Sequence, residues 1–258
     1  MGLYEELEIA DILTQTVQRN LDEGKWKLDS DRKIKYELSH PVNSGWSIKN
    51  DPMERDCVRW LHTYFLQIYK KLPPPCMGCF KVVVMPETLT DLFKIHELQK
   101  NLGLHSKCGI EQRPYTPRLY GGYWYAPLGC SIEEAQELGK KVKGEVDKLF
   151  GGRVKTILKR ACTEMELQYG NSNEWELTEY DEFHYSLFDA MFAKVELPKE
   201  VPGFALTHTM KQWIEFAYEH GDKTCEKYMD KPIVNPPVDY MNDTHGLENT
   251  IVEELSYE

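Results

Sequence analysis

The sequence predicts an α+β protein with a ferredoxin-like βαββαβ core, which is a four-stranded antiparallel sheet, and helical extensions at both ends. Residues 80–85 form a β-branched run, and residues 131–150 begin with a capping box and end at two glycines. The strand and helix patterns around them follow the order of the split β-α-β unit. We therefore predict an N-terminal extension at 1–75, a core at 76–170 and a C-terminal extension with a tail at 171–258.

The N-terminal extension contains two predicted helices. Apolar residues recur at helical spacing over 3–22, and Gly24 ends this segment. Residues 25–50 hold short strand-like pieces between turn residues. Asp51 is suited to cap a second helix, and the prolines at 73–75 end it, because proline cannot continue a helix.

The core contains four predicted strands and two predicted helices. The strands are expected at 80–85, 106–113, 119–126 and 154–167, and the helices at 88–102 and 131–150. In the split unit the sheet order is 4-1-3-2, and strands 3 and 4 run against strands 1 and 2. Beyond the core we predict a short helix near 180–193 and helices at 206–220 and 222–230. An acidic tail from Pro232 is expected either to wrap around a partner protein or to stay mobile.

Composition restricts the possible functions. The 258 residues are 41% hydrophobic and 28% charged, which is typical of a folded globular protein. The net charge of -11 makes nucleic-acid binding an unfavoured role. The chain lacks an apolar run of about 18 residues, so we expect no membrane span. The acidic N-terminus does not have the layout of a secretion signal, so we expect a cytoplasmic location, where thiols stay reduced.

Cysteines provide the main functional signal. Cys76 and Cys79 are separated by two residues, a spacing that lets two sulfurs bind one metal centre. Cys108 lies near the start of the second predicted strand, Cys130 follows the third, and Cys162 falls in the later part of the fourth. Starts of strands in one direction and ends of strands in the other meet at the same edge of a sheet. These five cysteines are therefore expected to converge.

We predict that this edge binds a metal centre. The most compact set of four defines the expected ligands, which are Cys76, Cys79, Cys130 and Cys162. Cys108 is a reserve ligand. An iron–sulfur cluster of the 4Fe-4S type is favoured, because it is broader than a zinc ion and the strands are about 4.8 Å apart. A structural zinc and a metal-free set of buried thiols remain alternatives. Cys57 and Cys225 are interpreted as packing or surface residues.

The sheet also carries aromatic and charged residues that could bind a ligand. The candidates lie on the second, third and fourth predicted strands: Lys107, Arg113, Tyr123, Tyr125, Lys159 and Arg160. The third strand partly fits the aromatic pattern with which RNA-recognition motifs stack on bases. An interaction module that binds a protein or single-stranded nucleic acid is thus a second hypothesis, and an aromatic face packed under helices is its alternative. The sequence shows no catalytic motif, so an enzyme activity is left open.

Overall fold

The structure is a computed structural model. It describes residues 3–36, 45–50, 56–194, 203–230 and 241. The chain divides into two units, Met1–Cys225 and Glu226–Glu258. The predicted helix start at Asp51 and the predicted tail from Pro232 lie outside the described residues, apart from Met241.

The first elements of the chain form a helix and a small hairpin-like sheet. Helix α1 (Leu3–Asp22) confirms the predicted N-terminal helix. Strands β1 (Trp26–Leu28) and β2 (Ile34–Tyr36) pair with each other in an antiparallel two-stranded sheet. Strand β3 (Trp46–Lys49) instead joins the main sheet, where it pairs with residues 106–109.

A π-helix (Val58–Ile68) follows, in which the Tyr69 N–H donates to the Tyr64 carbonyl oxygen at 2.9 Å, five residues back. Helices of this kind are rare and are often found at functional sites. A buried guanidinium holds the helix in place. Arg59 Nη1 donates to the Phe192 carbonyl oxygen at 2.6 Å, and its Nη2 lies 2.6 Å from Asp189.

The main sheet has five strands rather than the predicted four. Its further strands are β4 (Phe80–Met85), β5 (Ser106–Ile110), β6 (Tyr120–Tyr125) and β7 (Lys155–Arg160), in the order β3-β5-β6-β4-β7. All neighbouring strands are antiparallel. The prediction of four strands missed β3. This strand covers the edge of β5 and forms hydrogen bonds with backbone groups that would otherwise be unpaired.

Two helices pack on one face of this sheet. Helix α2 (Leu89–Leu102) is capped by Thr88, and α3 (Ile132–Phe150) begins with the predicted capping box of Ser131 and Glu134. Both helices end at glycines in the left-handed conformation, which glycine adopts without steric cost. The side chains between them and the sheet are almost inaccessible to solvent; they include Leu92, Ile95, Val142 and Trp124.

Two predicted strands end earlier than expected. Strand β5 ends at Ile110, so Arg113 lies in the following loop. Strand β7 ends at Arg160 because Ala161 has a φ of +47°, which breaks the ladder, and Cys162 then caps the short helix α4 (Thr163–Tyr169). The prediction of a strand up to residue 167 is therefore wrong.

The remaining elements are helical. They are α5 (Glu179–Met191), α6 (Gly203–Glu219) and a 3-10 helix (Lys223–Tyr228). These helices confirm the predicted helical character of the C-terminal part within the described residues. None of the helices in the described ranges has the length and apolarity that a membrane crossing requires.

Candidate functional site

The sheet face opposite α2 and α3 borders a cavity of about 390 Å³. Alternation along the strands aims Lys81, Lys107, Tyr123 and Tyr125 at this face. Cross-strand register places them side by side, because Lys81 lies opposite Tyr125 and Lys107 lies opposite Tyr123. The volume falls within the range of small-molecule binding sites, about 300–1,000 Å³.

Thiols from separate segments gather at this cavity. Cys57 precedes the π-helix, Cys79 follows a 3-10 turn (Pro74–Gly78), and Cys162 follows β7; all three line the cavity. Strand pairing joins two of these segments, since the Ala161 N–H donates to the Cys79 carbonyl oxygen at 2.8 Å. The turn adds Cys76, which is buried and whose carbonyl oxygen accepts from the Cys79 N–H at 3.2 Å.

Cys79, Cys162 and Cys57 lie near enough to Cys76 to affect the pKa of its thiol. Burial raises the pKa of the Cys76 thiol well above its usual value, and Cys79, Cys162 and Cys57 raise it further. Lys81 Nζ lies 3.7 Å from Cys162 Sγ. Burial alone lowers the pKa of Lys81, but Cys162 and Cys79 raise it, and the net pKa is higher than usual. The ammonium group is therefore charged and is placed to stabilise thiolates.

The structure does not bring Cys108 to this group. Cys108 Sγ lies on the helix side of the sheet, 3.4 Å from Gln99 Oε1 and 3.9 Å from His96 Nδ1. The reason is the pleat of β5, which directs Lys107 toward the cavity and the next residue to the opposite face. The predicted reserve ligand is thus a core residue, and an argument based only on strand ends could not separate the two faces.

Cys130 is near the cysteine turn along the backbone but packs elsewhere. The Gly129 N–H donates to the Gly78 carbonyl oxygen at 3.3 Å, which joins the two loops. The Cys130 side chain packs against Phe80, Ala126 and Ala135 beside α3. The partner that sequence reasoning missed is Cys57. Its only signal was its position at the start of the helix that leads to the cysteine turn.

The described side chains do not form a site for one metal ion. In the ranges that the structure describes, no three His, Cys, Asp or Glu side chains are arranged to hold an ion. A tetrahedral zinc ion with bonds of about 2.3 Å would need sulfurs roughly 4 Å apart. The arrangement therefore does not fit a structural zinc, whereas a broader centre does not need such close sulfurs.

A hydrogen-bonded wall of ionised groups closes one side of the cavity. Glu111 is buried and accepts from Arg113 Nη2 at 2.7 Å and from the Tyr123 hydroxyl. Arg113 also lies 3.2 Å from Glu164, and Arg118 donates to the Tyr123 oxygen at 2.9 Å. Burial and the charge of Glu111 raise the pKa of Tyr123. Arg113 is thus engaged with protein carboxylates.

The other predicted ligand-binding residues divide between the cavity and the surrounding structure. Lys107 lies 4.4 Å from the Trp46 ring centroid, and burial together with Lys81 lowers its pKa. Lys159 is paired with Glu166, and burial followed by Lys81 lowers its pKa to about 8. Arg160 Nη1 donates to the Ser172 carbonyl oxygen at 2.8 Å, outside the cavity.

The aromatic strand does not present an open stacking surface. Tyr123 is only 3% exposed, and Tyr125 stacks on His105 with their centroids 4.6 Å apart. Burial raises the pKa of Tyr125 well above its usual value. These rings line a closed pocket wall, so the comparison with base-stacking sheets is not supported by their exposure.

Three comparisons with known proteins found no match for this chain. The chain has no significant match to a protein-family model, to a curated protein or to a solved structure. A function for this chain is therefore argued from the cavity and its side chains.

Proposed function

We propose that the protein carries a cysteine-ligated iron–sulfur cluster at the thiol end of the cavity, with Cys57, Cys76, Cys79 and Cys162 as ligands. The observation that carries this proposal is the convergence of four thiols from three separate chain segments. Cys57 replaces Cys130 in the ligand set expected from the sequence. Such a cluster requires reduced thiols, in keeping with the cytoplasmic location proposed from the sequence.

A cluster accounts for these thiols better than a single ion. The described residues hold no three-ligand group of the compactness that one zinc ion needs. A cluster of four irons is wider and takes one thiolate from each of four cysteines. Lys81, 3.7 Å from Cys162 Sγ, supplies a positive charge beside the ligands, and such groups tune the reduction potential of a cluster.

Binding of a cluster at the proposed site would also require the Cys76 thiol to lose its proton. The pKa of Cys76 is raised, chiefly by burial, so its thiol is protonated at neutral pH without metal. Ligation by a thiolate requires loss of that proton. Cluster assembly is therefore expected to be faster and more complete as the pH rises above neutrality.

The test compares two partly buried cysteines. The chain is purified without oxygen, or reconstituted with iron and sulfide, and iron, sulfide and visible absorption are measured. Cys57→Ala is expected to lose most of the bound iron, because one ligand is missing. Cys130→Ala is expected to keep it. Far-ultraviolet circular dichroism checks that both variants are folded.

Three outcomes would reject the proposal or change its ligand set. Full iron content in folded Cys57→Ala would remove that residue from the ligand set. Loss of iron in Cys130→Ala with retention in Cys57→Ala would restore the set expected from the sequence. A wild-type chain that takes up neither iron nor sulfide would remove the cluster altogether.

A further inference from the structure

The cavity contains two lysine ammonium groups in addition to the thiols; the Lys81 side chain is buried and the Lys107 side chain is half-buried. Lys81 is 7% exposed. Strand β6 separates its strand from that of Lys107, and the two Nζ atoms lie 5.8 and 5.3 Å from the ring centroid of Tyr123 on β6. In the described part of the chain, no carboxylate lies within ion-pair distance of either Nζ atom. The two carboxylates that line the cavity, Glu111 and Glu164, are already bound by Arg113. Among the described residues that line the cavity, positively charged side chains therefore outnumber carboxylates.

Such an excess is costly in a folded protein without a ligand. A buried charge loses its hydration and is normally paired. Arg113, Glu111 and Glu164 follow that rule. Within the described ranges, the Lys107 ammonium group instead contacts the rings of Trp46 and Tyr123, with their centroids at 4.4 and 5.3 Å. Lys81 and Lys107 also repel each other, which contributes to the lowered pKa of Lys107. An anion bound by both lysines would remove this repulsion and would pair the charge of Lys107.

The rest of the lining indicates what else the anion carries. Trp46, Ile48, Leu61 and Ile110 contribute apolar surface to the cavity. At about 390 Å³ the cavity has room for a molecule of many atoms rather than a bare inorganic ion. Cavities of this size bind through apolar contacts, with a few polar groups that fix the orientation.

We propose that the cavity binds a small organic carboxylate. Its carboxylate group lies between Lys81 and Lys107, and its apolar part packs against Trp46 and the aliphatic side chains. This inference goes beyond the cluster and does not depend on it, because both lysines and the apolar wall are present in the metal-free chain.

The test uses metal-free protein and matched pairs of probes. Benzoate and phenylacetate are compared with benzamide and phenylacetamide, which have the same shape without the charge, and with inorganic phosphate. Binding is measured by isothermal titration calorimetry. The acids are expected to bind at least about tenfold more tightly than the amides, because a charge-assisted hydrogen bond is lost in the amide.

Lysine variants locate the binding site. Lys107→Met is expected to weaken benzoate binding by about tenfold, and Lys107→Arg is expected to recover part of it. Lys159→Met is the matched control, since that ammonium group is paired with Glu166 and does not line the cavity. Its benzoate affinity is expected to be unchanged.

Three results would overturn the proposal: equal affinity for acids and amides, unchanged acid binding in folded Lys107→Met, or phosphate binding as tightly as benzoate. Charge-selective binding by a chain that takes up no iron would support this site while rejecting the cluster. Iron uptake without any preference for the acids would do the reverse.

Discussion

The two faces of the main sheet are built from the same strands but have opposite characters. The face under α2 and α3 is filled by side chains such as Leu92, Ile95 and Trp124, which are at most 1% exposed. The other face borders a cavity and carries ammonium and thiol groups such as Lys81 and Cys162. One set of alternating positions supplies most of the packing energy, and the other holds reactive groups in fixed positions.

Exposure alone does not separate the two kinds of cysteine. Cys108 on the helix face is 0% exposed, and Cys76 and Cys79 are 5% and 4% exposed. Their neighbours differ. Cys108 contacts Gln99 and His96, which belong to a polar cluster inside the core. Cys76 instead packs in an apolar cluster with residues such as Phe65 and Met165, and Cys79, Cys162 and Cys57 are near enough to raise its pKa. The chemistry of a buried cysteine is therefore indicated by its neighbours rather than by its depth.

The largest expected effect compares adjacent residues on opposite faces. Trp124→Ala is expected to lower the free energy of unfolding by about 3–5 kcal/mol, because it leaves a large void in a packed core. Tyr125→Ala is expected to cost less than roughly half of that, since its ring already borders a cavity. Urea unfolding at neutral pH measures both. Equal costs would show that the cavity face is packed as tightly as the helix face.

The second expected effect concerns a titratable group on the helix face. Burial lowers the pKa of His96 to about 4, and His96 is 0% exposed. The unfolded chain, with an ordinary histidine pKa near 6.5, then binds the proton more readily than the folded chain. Stability from this residue is therefore complete above about pH 6.5 and falls as the pH drops toward 4, by about 3 kcal/mol in total.

Urea unfolding at several pH values between 7 and 4 measures this dependence in the wild type and in His96→Gln. Carboxylates contribute acid sensitivity to both proteins, so the difference between the two curves isolates the histidine. The wild type is expected to lose about 3 kcal/mol more than the variant over this range. Parallel curves would show that the pKa of His96 is the same in the folded and unfolded chains.

Elements with strong local signals were predictable from the sequence. The capping box at Ser131 fixed the start of α3, and the β-branched run of β4 fixed a central strand. Strand β3 (Trp46–Lys49) was not singled out, because four residues carry little pattern and its place depends on the open edge of β5. The end of β7 depends on the left-handed backbone conformation of Ala161. Alanine rarely adopts this conformation, so its presence in the sequence does not predict it.

The candidate site was partly predictable from the strand order and from the cysteine spacing. Strand order brought Cys79 and Cys162 to one edge, and the short spacing added Cys76. Strand order and strand ends do not indicate on which face of the sheet a side chain lies. The sequence therefore grouped Cys108 with the other cysteines, although its side chain lies on the helix face. Cys57 belongs to a different segment, and its position follows from how the π-helix packs, which is a tertiary property.

The smallest expected effect tests the cost of the cavity face. Lys107→Met is expected to raise the free energy of unfolding by about 0.5–2 kcal/mol, because it removes a half-buried charge that no carboxylate in the described ranges pairs with. Lys148→Met, on the exposed side of α3, is expected to change it by no more than about 0.5 kcal/mol. Denaturation in urea without added carboxylates measures both. A clear loss of stability in Lys107→Met would show that this lysine packs as part of the core. The two faces would then differ in chemistry but not in their contribution to folding.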